Sequence, residues 1–214
     1  MTNTVRGIWW MVSAALFFAC IVTCGRSLSG RYGAFEIVVL QTSISTLLMV
    51  PWLVKGGFAR LRTRRPIVYG LRAIVAMLAM VSMFFALQTL PVADATALLY
   101  SAGLFTVLFA AIALREAVGV RRWIALLVGF TGALIIIRPG FTEFSWSLAI
   151  MMLSALTFGA ANVFTRFLAT TEDANAVVFY NYFLMGLLAL PPALAEWKVP
   201  ELSDTPVLLV LGIV

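Results

Sequence analysis

Seven runs of about 20 mostly apolar residues follow one another along this chain, and nothing else in it limits the fold as severely. They occupy residues 7–24, 35–54, 67–89, 95–114, 122–137, 146–167 and 177–196. Each is close to the length an α-helix needs to cross a hydrocarbon core roughly 30 Å thick. An eighth run starts near Thr205, and its residues 206–214 are too few to cross. The runs are continuous, not alternating, so they read as helices and not as the strands of a barrel. Only 11% of the residues are charged and 63% are apolar, against about 25% and 45–50% in soluble domains. A soluble fold of this size has too much surface to hide so much apolar side chain. The predicted class is an all-α membrane protein, a polytopic transmembrane helical bundle.

The net charge of +6 does not point to nucleic acid, because the arginines stand between apolar runs and form no aromatic-interleaved basic surface. Cys20 and Cys24 lie four apart on one helix face, and the chain has no histidine. Small packing residues are the expected reading, with no metal and no cofactor. The first run has a basic flank at Arg6 and could pass for a signal peptide. It lacks a clear small-x-small cleavage site before the polar turn at 25–33, so a retained helix is expected.

Basic residues set the predicted orientation. With the N-terminus in the cytoplasm, Arg6, Lys55, Arg60, Arg62, Arg64, Arg65, Arg72, Arg115, Arg121, Arg122 and Arg166 flank the cytoplasmic ends, and Arg26, Arg31, Arg138 and Lys198 the opposite ends. That imbalance follows the positive-inside rule, and the 55–65 loop dominates it. The same loop offers charge to anionic membrane lipids.

Segment 7–53 is echoed without gaps by 147–193, with eleven identities in 47 positions, where about four are expected by chance in so apolar a chain. Phe18 answers to Phe158, Arg26 to Arg166, Leu28 to Leu168 and Pro51 to Pro191, with Gln41 opposite Asn181. Five crossings intervene, so the second copy starts on the far side and the repeat is inverted, an arrangement typical of transporters. Residues 1–140 then form a first five-helix repeat, and 141–214 part of a second. A complete second copy needs spans six to ten, so the sequence is expected to be a C-terminally truncated piece of a ten-helix protein.

The stretch 86–140 carries a resemblance. Ala86, Leu87, Leu90 and Pro91 form an Ala-Leu-x-x-Leu-Pro turn, and Ala93 and Ala95 open span four. Glu116 precedes the basic pair Arg121–Arg122, and a Gly129-Phe-Thr-Gly132-x-Leu run ends in Arg138-Pro139-Gly140. The chain resembles the EamA-type ten-helix carriers of the drug/metabolite transporter superfamily. Arg72 and the Arg-Pro-Gly end of span five lean toward the subgroup that includes S-adenosylmethionine-uptake-like carriers. Two departures stand out: Ala102-Gly103-Leu104 replaces the proline many members carry midway along span four, and Gln41 sits where an arginine is frequent.

Several residues are read singly. Ala125, Gly129, Gly132 and Ala133 give small-xxx-small spacing, expected to let a helix of the same chain approach, with a homodimer seam as the alternative. Glu116 sits too near water for a proton relay and reads as an ion pair or latch. Glu36 and Asp94 read as solvated acids favourable to helix N-termini. No span has a carboxylate near its middle, which disfavours proton antiport of cationic drugs by the visible part. The candidate substrate-binding groups are Trp10, Gln41, Arg72, Tyr100, Ser101, Asn162, Tyr180 and Asn181, with Ser82 beside them; Arg72 reads either as snorkelling or as an anion contact at the inner mouth. Amides in hydrocarbon must face a cavity or another helix.

No nucleophile–base pair is visible, and no enzyme is expected. The predicted function is secondary transport of a small organic metabolite (an amino acid, a nucleoside or an S-adenosylmethionine-like compound) across a bacterial inner membrane by alternating access. The alternatives are a non-transporting packing or regulatory fragment, and a membrane enzyme on lipid-linked substrates, for which Glu172–Asp173 is the nearest acidic pair.

Overall fold

The computed structural model describes residues 3–57, 61–63, 65–113, 119–137 and 145–213, and every regular element among them is helical. α1 is Asn3–Ser29, α2 Ala34–Gly56, α3 Pro66–Leu87, α4 Val92–Leu99, α5 Ser101–Ala113, α6 Val120–Ile137, α7 Trp146–Ala169, α8 Ala174–Ala195 and α9 Thr205–Ile213. Among the described residues six spans, with α4 and α5 counted as one, are long and apolar enough to cross a membrane. The expected fifth span is α6, whose described apolar stretch is shorter, Trp123–Gly132. The chain is a polytopic helical membrane protein.

Local chemistry sets the helix boundaries. Pro66 starts α3, where its missing N–H is no loss. Asp173 caps α8 by accepting from the amides of Asn175 (2.9 Å) and Ala176 (3.1 Å). The fourth span is interrupted at Tyr100, three residues ahead of Gly103 in the stretch that replaces the family's proline. At the break the Ser101 hydroxyl donates back to the Leu98 carbonyl, where a side chain competes with the backbone ladder.

α3 lies along α7, α2 along α8, and α5 along α7, with α9 against α2 and α1. The contact of α5 with α7 needs Gly159, because a Cβ there would lie 2.6 Å from the Phe105 Cβ and 3.0 Å from backbone atoms. Gly186 plays the same part for α8 on α2, where a Cβ would lie 2.7 Å from the Thr42 hydroxyl. Polar side chains cross between helices as well: Ser154 donates to the Ala79 carbonyl (2.8 Å) and Ser45 to that of Gly212 (2.8 Å). The core gathers Val22, Leu28, Ile37, Met83, Phe84, Met151, Met185 and Leu211.

The small-residue face of α6 departs from expectation. Gly129 and Gly132 have open space where a Cβ would go, so no described helix of the same chain closes on them. α6 meets α4 and α5 with other residues, Leu126 approaching Gly103 among them.

Contacts at the helix ends define two poles. Thr89 meets Ser147, Arg26 bonds the Leu87 carbonyl, and the turn at 30–33 meets residues 198–204, so the ends of α1, α3 and α8 share a pole with the starts of α2, α7 and α9. At the other pole Thr63 bonds Glu172 and the Tyr180 hydroxyl bonds the Leu61 carbonyl. α1 therefore runs opposite to α7, α2 to α8 and α3 to α9.

Candidate functional site

The eight candidate residues do not converge on one pocket. Arg72 and Tyr180 lie where α3 meets α8 near the basic pole, and Asn181 follows Tyr180 on α8. The Arg72 Nε donates to the Thr165 hydroxyl on α7 (2.9 Å), and that hydroxyl donates onward to the Ala161 carbonyl (2.8 Å). Tyr180 packs on Tyr69 with ring centroids 4.7 Å apart and an interplanar angle of 49°. Its hydroxyl reaches the Leu61 carbonyl at 2.7 Å. Arg72 also lies within electrostatic reach of Tyr182 and Tyr69.

Ser101 and Asn162 sit along the α5–α7 seam. Ser101 is buried beside Met152, and the Asn162 amide donates to the Thr106 hydroxyl (3.3 Å). Gln41 is buried in α2 at 2% exposure with its side-chain oxygen unpartnered. The Asn181 side-chain oxygen is also buried and unpartnered, so these two equivalent amides do not bond through their oxygens. Trp10 (69% exposed) and Tyr100 (77% exposed) face outward, away from the other candidates, and Trp10 lines an open cleft with Arg6, Trp9 and Ser13. Helical period placed all eight at plausible depths, but depth does not decide which side of a helix meets a partner.

Sequence reasoning missed Tyr69, Thr165 and Tyr182. A signal existed, since Tyr69 is one turn before Arg72 and Tyr182 follows Asn181. It also missed a clamp at the other pole. Arg31 pairs with Asp204 at 2.6 Å, and the Tyr32 hydroxyl donates to the second Asp204 oxygen at 2.7 Å while accepting from the Glu201 amide at 3.1 Å. Glu36 is 2% exposed, which corrects its reading as a solvated acid: its carboxylate accepts from the amides of Gly33 (3.3 Å) and Lys198 (3.0 Å). Asp94, in the first turn of α4, is half-buried.

The acidic pair that suggested an enzyme has structural work: Glu172 takes the Thr63 hydroxyl (3.1 Å) and Asp173 caps α8. Among the described residues no group of His, Cys, Asp or Glu could hold a metal ion. Glu116 and Arg138-Pro139-Gly140 lie outside the described residues.

Two clefts flank this framework. One of about 380 Å³ lies at the crossing of α2 and α8, lined by Thr42, Ser43, Tyr182 and Gly186 with apolar neighbours. The other, of about 410 Å³, lies at the clamped pole beside Phe35, Glu36, Phe85 and Glu196.

Comparison with known proteins decides the family. The profile of the EamA-like transporter family matches residues 5–138, more than half of the chain. The chain belongs to that family. EamA proteins are part of the drug/metabolite transporter superfamily, and the relatives are named as transporters, not enzymes. An S-adenosylmethionine uptake transporter of Rickettsia bellii is 27% identical over 96% of this chain and 71% of its own length. A riboflavin transporter of Vibrio cholerae is 28% identical over 98% of this chain and 72% of that protein. A pseudopaline exporter of Pseudomonas aeruginosa is 30% identical over 97% of this chain and 74% of that protein. A solved crystal structure superposes with a TM-score of 0.67 over 94% of this chain and 74% of that one at 20% identity, a likeness of fold alone. This EamA chain is thus an integral membrane protein of a small-molecule transporter family.

Proposed function

We propose that this EamA protein is a secondary carrier that moves a small organic metabolite by rocking two inverted halves, residues 1–140 and 141–214, against each other. The pairing of helices carries this reading. α3 meets α7 as α9 meets α1, and α3 meets α8 as α9 meets α2, which is the exchange a pseudo-two-fold axis requires. The reversed directions of α1 and α7, α2 and α8, and α3 and α9 support an axis lying in the membrane plane. The basic pole, with Lys55, Arg62, Arg65, Arg121 and Arg166, would face the cytoplasm of a bacterial inner membrane, with the N-terminus inside.

Substrate would meet the polar groups of Arg72, Asn181 and Tyr180 from the basic pole, while the Arg31–Asp204 clamp holds the other pole shut. Opening that pole requires the clamp to break. Proteoliposomes holding the protein test this with labelled S-adenosylmethionine, riboflavin and pseudopaline, the compounds named for its relatives, in both directions. The expected result is flux of one compound class, reduced by Asn181→Ala and by Gln41→Ala. Flux of every responsive compound unchanged in both variants would remove the amides from the site, and no flux of any of the three would count against these substrate classes.

A further inference from the structure

We propose that Arg72, Tyr69 and Asn181 form a binding site, between α3 and α8, for a carboxylate that carries a neighbouring ammonium group; this deepens the carrier reading and rests on it. Three buried polar atoms on these helices lack any hydrogen-bond partner: Arg72 Nη1, the Tyr69 hydroxyl and Asn181 Oδ1. Such atoms are nearly always paired in folded proteins, and a guanidinium without a countercharge is especially unfavourable at membrane depth. Among the described residues no carboxylate forms an ion pair with Arg72; Arg31 and Asp204 pair at the opposite pole.

Arg72 and Tyr69 are held in place from outside the site. Thr165 gives its own proton to the Ala161 carbonyl, so its oxygen is committed to accepting from Arg72 Nε. That fixes the guanidinium and leaves Nη1 facing away from the anchor. The Tyr69 ring, 2% exposed, is wedged against Tyr180, whose hydroxyl is tied to the Leu61 carbonyl. On α8, helical spacing puts Asn181 on the strip between the Val177–Tyr180–Leu184 face, packed on Tyr69, and Tyr182, which lies within electrostatic reach of Arg72. Arg72 is six residues past Pro66, roughly 9 Å along the helix at 1.5 Å per residue, inside the span and not at its rim.

The chemistry of the three is complementary. Nη1 and the tyrosine hydroxyl donate, as a carboxylate requires, and the guanidinium fork suits a planar anion. The amide oxygen accepts, as an ammonium beside that carboxylate requires. The two clefts described above do not reach Arg72, so entry parts α8 from α3 at the basic pole.

The test follows thermal unfolding of the purified full chain in a zwitterionic detergent. The probes are L-methionine, L-leucine, L-phenylalanine, L-glutamate and L-lysine, with their methyl esters and decarboxylated amines. At least one amino acid should raise the unfolding midpoint, and its ester and amine should not. Arg72→Lys and Tyr69→Phe should each weaken the apparent affinity by about tenfold, the scale of one lost charge-assisted bond. Thr165→Val, which leaves Arg72 present but unanchored, should weaken it too, and each variant is judged on its ligand-induced shift, so lowered intrinsic stability does not obscure the result. Asn181→Ala should abolish the preference for the amino acid over the matching acid without an amine.

The proposal is overturned if no amino acid protects, if esters protect equally, or if the Arg72 and Tyr69 variants bind as the parent does. It is also overturned if added phosphatidylglycerol alone protects through Arg72, because a lipid phosphate is then the anion. Flux measured in parallel separates the two readings: binding without flux defeats the carrier and spares the site, whereas flux indifferent to Arg72 defeats only the site.

Discussion

Phe18 and Phe158 meet edge to face, their ring centroids 6.1 Å apart and their planes at 84°. In the inverted repeat proposed above they are equivalent positions, 140 residues apart. Two points exchanged by a two-fold rotation can touch only close to its axis. The α2–α8 crossing has the same property, because Thr42 and Tyr182, Ser43 and Phe183, and Leu47 and Leu187 are equivalent pairs lining one cleft. In the proposed carrier, an axis through both places would make the phenylalanine pair a pivot. A double-mutant cycle with Phe18→Ala and Phe158→Ala should give a coupling of about 0.5–1.5 kcal/mol, the range for such ring pairs. Additive losses in denaturant unfolding would show that the rings meet without supporting each other.

Gly159 and Gly129 should respond oppositely to alanine. A methyl at Gly159 meets Phe105 and its backbone, which cannot withdraw, and overpacking of this kind costs about 1–3 kcal/mol. A methyl at Gly129 meets nothing within 4 Å, so Gly129→Ala should be neutral or stabilise by up to about 1 kcal/mol through helix propensity. Unfolding midpoints in detergent decide it, and equal losses at both sites would contradict the α5–α7 contact.

The clamp should weaken in alkali. The Glu201 amide bonded to the Tyr32 hydroxyl lowers its pKa, but the bond to Asp204, burial and the nearby carboxylates together raise it above the ordinary 10. A pKa raised by folding favours the protonated form, so this contribution is whole below pH 10 and is lost as pH climbs through the higher folded value. Unfolding midpoints of the parent should fall more steeply above pH 10 than those of Tyr32→Phe, which has no proton to lose. Parallel curves would exclude this tyrosine. Asp204→Asn should open the pole at neutral pH, read as faster labelling of a cysteine placed at Ser203.

Gln41 offers a stability test of a binding candidate. Its oxygen is buried without a partner, a burden of about 1–3 kcal/mol. Gln41→Met, similar in shape and apolar, should raise the unfolding midpoint of the unliganded protein. If it also removes flux, stability is being held back for recognition; if it lowers the midpoint, the amide is contributing to the fold through its nitrogen.

The helices were legible because length and apolarity are local properties. All seven expected runs became helices, and Pro66, Asp173 and Ser145 mark their starts as capping chemistry predicts. The proposed site was only partly legible. Arg72 and Asn181 stand out as polar residues in apolar runs, but their neighbours Tyr69 and Thr165 resemble ordinary span residues until helix faces are known. Glu36 was misjudged for the same reason: its second bond comes from Lys198, 162 residues later. The break at Tyr100 was not legible, because the Ser101 back-bond that accompanies it has no distinctive sequence mark.

The clamp also has a timetable. Tyr32 and Asp204 are 172 residues apart, and at about 5–20 residues per second a ribosome needs roughly ten to thirty seconds to make that interval. Throughout it Tyr32 and Glu36 must wait at the membrane surface without Asp204 and Lys198. The first hairpin is therefore inserted by hydrophobicity and loop charge alone, and its polar end is secured only after synthesis has passed α8. A nascent chain halted before Lys198 should leave residues 30–36 open to cytoplasm-independent labelling, while one halted after Ile213 has left the ribosome tunnel should protect them.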